Sequence, residues 1–403
     1  MTTRNRVIYQ SAAIFSSTIT GANGDSTIPS SEVFPLQRVT DVSFGGEVTR
    51  TDINVFGQLA SISREIIEEP TVSLDFSYYL ADGWNESGCL GLNVGDGSNL
   101  ISNILDGGDE RNYYILTVPE GQDADGTTSD AVTNGMVGIG NAFMSNYSVN
   151  ISVGDIPNAS VSFEAANLNF STGSWYDNAG GDVAAGEKDG FRNPALDRAA
   201  TNPSTAQYTG LVSLPTFNTY EEDSSINDAW NSQKLEVSVL RPGDVTVTFD
   251  TNSISGGGVV LPGMDVASTR QAAHVQSVTI DVPLSRTPLN KLGNPFAFSR
   301  ELEVPINVTV NVTANVGDVT TGSLVDLVCA DGAGRDIIID MKSRCGGLTN
   351  MYYEIKSCKL DSQSMSLNVG DSQTVDLTFT AQVGGVNDSS NGVFLSGAGQ
   401  YSA

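Results

Sequence analysis

Thr49-Arg50-Thr51, Asn54, Gly57 and Ser63-Arg64-Glu65-Ile66 return later in the chain as Ser285-Arg286-Thr287, Asn290, Gly293 and Ser299-Arg300-Glu301-Leu302, every residue displaced by 236 positions. Pro70 and Pro305 follow, one residue out of step. A second block, Ser148 to Asp155, matches Ser364 to Asp371 at an offset of 216, and Phe163 and Ala165 then match Phe379 and Ala381. Between the blocks, Tyr113-Tyr114 echoes Tyr352-Tyr353, and each copy places a Gly-Asp turn before an apolar segment, Leu100 to Leu105 and Leu324 to Val328. Solenoid units recur every 20 to 50 or so residues, so this spacing indicates a duplicated domain instead. The falling offset gives the first copy the longer loops.

Inside each copy the dominant period is two, which is the strand signature. Val72, Leu74, Phe76 and Tyr78 share one side, and Ser73, Asp75 and Ser77 the other. Ile306, Val308, Val310 and Val312 alternate in the same way with Asn307, Thr309 and Asn311. Such strands bury one side and wet the other. A short helix per copy is expected near Ser98 to Leu105 and Ser323 to Cys329, where apolar residues cluster after small polar ones. The reading is a mainly β chain: an extended arm over residues 1–35, a first domain over 36–166, an inserted small β module or long excursion over 167–264, and a second domain over 265–403.

The 403 residues hold 47 acidic and 20 basic side chains, a net charge of −27. That surplus repels a phosphate backbone and argues against a nucleic-acid reader or coat. With 17% charged and 39% hydrophobic residues, the composition is that of a folding chain. The N-terminal residues lack a signal-type apolar stretch, and no apolar run reaches the ~18 residues that a membrane helix needs. Cys89, Cys329, Cys345 and Cys358 form no C-x-x-C pair and read as buried thiols, with a Cys345–Cys358 bridge as the alternative.

Enzyme chemistry finds little footing. His274 is the sole histidine and sits at a strand entry, so sites with several imidazoles are excluded. No phosphate-binding loop occurs, and Phe143 stands where a dinucleotide loop after Gly138 and Gly140 needs its third glycine. Asp96, Asp106, Asp109 and Glu110, or Asp123 and Asp125, lack the full calcium-loop spacing and read as solvated acidic loops. No catalytic residue, cofactor or metal is assigned. The recurring pairs Arg64-Glu65 and Arg300-Glu301, with Arg50 and Arg286 beside them, fit either a brace at a strand entry or a contact that the copies make in alternation around a ring.

The segment Asn54 to Gly57, Ser63 to Ile66 and Glu69 to Tyr78, with Ser148 to Asp155 leading into Pro157 and Ser160 to Ala165, resembles the major tail tube proteins of long-tailed bacteriophages. The resemblance covers about two thirds of the chain and leaves residues 167–264 aside. It implies two tandem β-sandwich or half-barrel domains, each with one flanking helix, whose sheets join across subunits around a channel. A chain with two such domains is implied to form trimers that mimic six-fold symmetry and stack into a tube. Such a structural protein of the virion tail, assembled in the host bacterial cytoplasm, would meet other tail proteins, insert into no membrane, and pass double-stranded DNA without specific binding. Ser73, Asp75, Ser77, Asn307, Thr309 and Asn311 become candidates to line the channel. The loop from Trp84 to Thr133 and the arm Met1 to Phe34 become candidates for contacts between rings, and the second copy's wet side is expected to be nearly neutral. The competing class is a capsid decoration or surface-binding β-sandwich protein, which needs no closed ring.

Overall fold

The computed structural model describes residues 12–20, 26–95, 97–107, 109–118, 133–175, 188–200, 206–215, 240–250, 273–293, 296–316, 334–342, 349–366 and 373–397. The first half contributes β1 (Ala12–Thr18), β2 (Phe34–Pro35), β3 (Val39–Glu47), β4 (Arg50–Ile53), β5 (Ser63–Ile66), β6 (Thr71–Tyr79), β7 (Arg111–Thr117), β8 (Thr133–Ser152), β9 (Asn158–Ala165), β10 (Asn167–Trp175), β11 (Lys188–Arg192) and β12 (Leu211–Leu214). The second contributes β13 (Val245–Asp250), β14 (Ala273–Pro283), β15 (Arg286–Leu289), β16 (Ser299–Leu302), β17 (Asn307–Val316), β18 (Arg335–Lys342), β19 (Thr349–Ser366), β20 (Thr374–Gln382) and β21 (Gly392–Gly397). The protein is mainly β, as expected.

Strand pairing repeats one plan twice. A large antiparallel layer runs in the order β3-β6-β9-β8-β14-β17-β20-β19, so four strands from one half are followed by their four counterparts from the other. A second layer consists of β1-β7-β8-β10 in the first half and β13-β18-β19-β21 in the second, again in matching order. The long strands β8 and β19 belong to both layers. Each shifts register on entering the large layer, at Met144/Asn146 and at Leu360/Ser362, positions that differ by the same 216 residues as the sequence repeat.

Alternation explains why the layers stack. Along β6 every second side chain, from Val72 through Tyr78, is buried while Thr71, Ser73 and Asp75 are exposed. Burying each such aliphatic or aromatic side chain contributes about 1.5–3 kcal/mol. Phe76 stacks on Phe163 with ring centroids 5.6 Å apart, and Tyr113 lies 4.7 Å from Phe163. The apolar sides of both halves merge in one core that includes Leu74, Val149, Ile280, Val310, Tyr353 and Phe379. A smaller core on the other side of the β1-β7-β8-β10 sheet joins Phe15, Tyr114 and Met136 to Phe191, Val212 and Leu214.

Several sequence expectations change. Residues 12–18, expected in an extended arm, are a strand hydrogen-bonded to β7 and buried over most of its length, because Ile14 and Phe15 have core to fill. The stretch expected as an inserted module is divided between the halves: β10 pairs with β8, and β13 pairs with β18 as β1 does with β7. Tyr113-Tyr114 and Tyr352-Tyr353 are not counterparts, since the first pair lies on β7 and the second on β19. The expected first-copy helix shrinks to one turn, α1 (Ser102–Leu105), preceded by a π-helical turn at Asn85–Cys89. The expected helix at Ser323 to Cys329 lies outside the described residues.

Cys89 and Cys358 are free and buried, and burial pushes both thiols up to about 12. Since only the thiolate reacts, iodoacetamide at pH 8 is expected to leave both unmodified in the native protein and to alkylate both in urea. Peptide mass mapping checks this, and native labelling of either at the rate of a free thiol would contradict it. Cys329 and Cys345 lie outside the described residues.

Candidate assembly surface

The hydrophilic side of the eight-stranded layer is built by the same alternation that fills the core. Ser73, Asp75 and Ser77 on β6, and Asn307, Thr309 and Asn311 on β17, stand on it as the sequence predicts, in one continuous sheet. Cross-strand hydrogen bonds order this side: Ser77 with Ser160 at 3.0 Å, Thr378 to Asn311 at 3.1 Å, and Thr313 to Asp376 at 2.8 Å. The expectation of a nearly neutral second half is corrected, because Asp281, Asp376 and Asp361 lie on this side together with Asp41, Glu47 and Asp75 of the first half. Among the described residues of these eight strand segments, Lys359 is the only lysine or arginine. The layer presents an acidic, hydroxyl-rich wall.

Within the described residues the layer ends in two strands that have a strand partner on one side only. Within the described residues β3 pairs only with β6, and the Lys359–Ser366 part of β19 pairs only with β20. Unpaired N–H and C=O groups along an edge are a template for another strand. Apolar side chains are left open there too, with Phe44 40% and Met365 39% exposed.

The recurring arginines divide sharply between the copies. Arg286 and Arg300 sit on the β15-β16 hairpin and reach into the first half. Arg286 Nη1 meets Asp109 at 2.5 Å, its Nε donates to the Met144 carbonyl, and its guanidinium lies 5.1 Å from the Phe143 ring centre. Arg300 binds Glu69 at 2.7 Å and Glu164 at 3.1 Å, and the Ala297 N–H donates to Glu69 as well. Phe296 adds an apolar contact, clustering with Ala166, Leu196 and Ala206. The matching hairpin, β4-β5, carries Arg50 in the open and Arg64 at 65% side-chain exposure, paired only with Asp52 of the same hairpin. Glu65 and Glu301 face outward and accept hydrogen bonds from Ser63 and Ser299 beside them. In the second copy, then, Arg286 and Arg300 contact the first half while Glu301 does not; among the described residues, Arg64 and Glu65 meet only their own hairpin.

Other placements follow from these contacts. Asp109 and Glu110, weighed as calcium ligands, are held by Arg286 and Arg198. Asp96, Asp123 and Asp125 lie outside the described residues. His274 is exposed at the start of β14. The described part of the loop from Trp84 onward does not project: Trp84, Leu92 and Leu100 are core, and the Gly95 and Leu100 N–H groups donate to the Leu395 and Val393 carbonyls of β21. The most exposed apolar residues are instead Phe56, Leu59 and Leu292, at the tips of the two hairpins. Phe56 and Leu292 are counterparts, each followed by a glycine with positive φ, Gly57 and Gly293.

Sequence reasoning missed Glu86. It lies fully buried in the π-helical turn, where the Tyr78 hydroxyl donates to its Oε1 at 2.8 Å and the Tyr147 hydroxyl at 3.3 Å. Tyr147 also meets Tyr353 at 2.7 Å, linking the two halves beneath the seam. Burial pushes the Glu86 carboxyl up to about 7 despite the tyrosine hydrogen bonds, and raises all three phenols. No spacing rule marks a lone glutamate in a turn as buried.

No protein-family model matches the chain, and no curated protein matches it significantly in sequence. Among the described residues no helix is long and apolar enough to cross a membrane.

Proposed function

We propose that this chain is the repeating subunit of a bacteriophage tail tube, a ring-forming structural protein whose hydrophilic layer lines a channel for double-stranded DNA. The observation that carries the reading is the eight-stranded layer: apolar on its buried side, acidic on the other, and, among the described residues, with no further strand paired at either end. A sheet with two free edges is completed by closing on copies of itself, which removes the aggregation hazard of both edges at once. Two equivalent strand quartets per chain suit a trimer with approximate six-fold repetition. The acidic wall suits the cargo, since a polyanion slides past carboxylates without binding them. The exposed tips at Phe56, Leu59 and Leu292 are candidates for ring-to-ring contacts beside the loop from Trp84 to Thr133, whose residues 119–132 lie outside the described residues. In this reading the protein catalyses no reaction; it belongs to the virion tail and is made in the bacterial cytoplasm.

Negative-stain electron microscopy of concentrated protein, viewed down the particle axis, tests this. Open-centred rings or tubes with three-fold or apparent six-fold symmetry are expected. Monomers at every concentration, also after addition of preformed tail tips, would overturn the reading in favour of a capsid decoration or surface-binding protein.

A further inference from the structure

The seam inside the chain is a template for the seam between chains. Within the molecule β8 and β14 join the two quartets, with Ser152 opposite Ser277, Val149 opposite Ile280 and Asn146 opposite Pro283. The repeat converts each side of this seam into one end of the layer. An offset of 216 carries Asn146–Asn150 of β8 onto Ser362–Ser366 of β19, and an offset of 236 carries Asp281 to Val275 of β14 onto Gly45 to Val39 of β3. Both offsets are structural as well. Val161 and Leu377 occupy matching register positions on β9 and β20, as do Val42 and Val278 on β3 and β14.

We infer that β3 of one chain pairs antiparallel with β19 of a second copy in one register: Ser43 opposite Ser366, Phe44 opposite Met365, Gly45 opposite Ser364, and Glu47 opposite Ser362. The occupant is a second copy because the chain already contains this joint once, made by the counterparts of these residues. The exposure pattern agrees independently. Phe44 and Met365 are the counterparts of Ile280 and Val149, which are 0% exposed where the internal seam covers them. At the edges the same two positions hold large apolar side chains about two fifths open. No proline interrupts β3 or the Lys359–Ser366 part of β19, so neither edge carries that block to strand addition.

The two seams differ in one respect. Arg300 locks the internal one through Glu69 and Glu164, and their counterparts at the outer seam are Pro305 and Thr380. No carboxylate at those places can receive Arg64. The seam between chains is therefore held by strand hydrogen bonds and the Phe44–Met365 contact, without the guanidinium lock.

This inference rests on the ring reading only in taking the sheet to close; the register itself needs no more than a second copy. The test uses the full-length chain carrying Phe44→Cys and Met365→Cys, oxidised with diamide and run on a non-reducing gel. A ladder of reducible multimers is expected, absent from either single variant. It is also absent from a Val42→Cys, Gln363→Cys pair, which the register sets four residues, about 13 Å, apart. Phe44→Asp should melt like the parent as a monomer, since the position is half-exposed, and should lose assembly at least tenfold by sedimentation. Rings that form without the Phe44–Met365 cross-link would overturn the register and leave the tube reading standing. Absence of any self-association would overturn both.

Discussion

Arg300→Ala is expected to lower the unfolding free energy by about 3–5 kcal/mol, the cost of leaving a buried charge without its partner. The Arg300 side chain is 6% exposed and Glu69 11%, so removing the guanidinium strands the Glu69 carboxylate in a nearly dry site shared by both halves. Glu164 is 49% exposed and returns to water at little cost. The counterpart substitution, Arg64→Ala, removes only a contact between side chains that are 65% and 48% exposed. Its expected effect is about 0.5 kcal/mol or less. Urea unfolding of the two variants beside the parent provides the comparison, with the m-value watched for separate melting of the halves. Equal losses would mean that the Arg300 cluster is solvated and does not clamp the copies together.

Glu86 should make stability fall as pH rises. Its carboxyl is pushed from 4.5 up to about 7 by burial, so the folded state holds the proton more tightly than the unfolded chain. The stabilisation is fully present below pH 4.5, declines as pH rises, and is gone above about pH 7. The full difference amounts to about 3 kcal/mol. Glu86→Gln keeps an acceptor for the Tyr78 hydroxyl and removes the ionisation. The variant should therefore gain on the parent between pH 5 and pH 8 and exceed it in melting temperature at pH 8. The difference between the two curves isolates this group from Asp82, which burial also raises. A constant difference across that range would show that folding does not raise the Glu86 carboxyl.

Much of the large layer was legible because its signal is local. The alternation at Val72 to Tyr78 and at Ile306 to Val312 reports burial residue by residue, and the repeat places the two hairpins and both long strands. What the sequence could not show lies in pairings that depend on distant partners. β13 is the counterpart of β1 through its place beside β18, although the two segments share no residue pattern. For the same reason residues 167–264 read as an insertion. Arg64 and Arg300 are indistinguishable in sequence, and the difference lies in Glu69, 231 residues from Arg300, and Glu164, 136 residues away. Glu86 was hidden because three tyrosines from separate strands create its environment.

The double membership of β8 and β19 has a mechanical consequence. A force that widens the wall pulls neighbouring strands sideways and concentrates at the weakest seam. The internal seam has β8 on one side, and the inferred one has β19. Both strands run on, with 20 and 18 residues, into the second layer. Each seam is therefore anchored on one side by a strand rooted behind the wall, while the strand on its other side, β14 or β3, is held by the wall alone, so a seam that parts should lose that strand first.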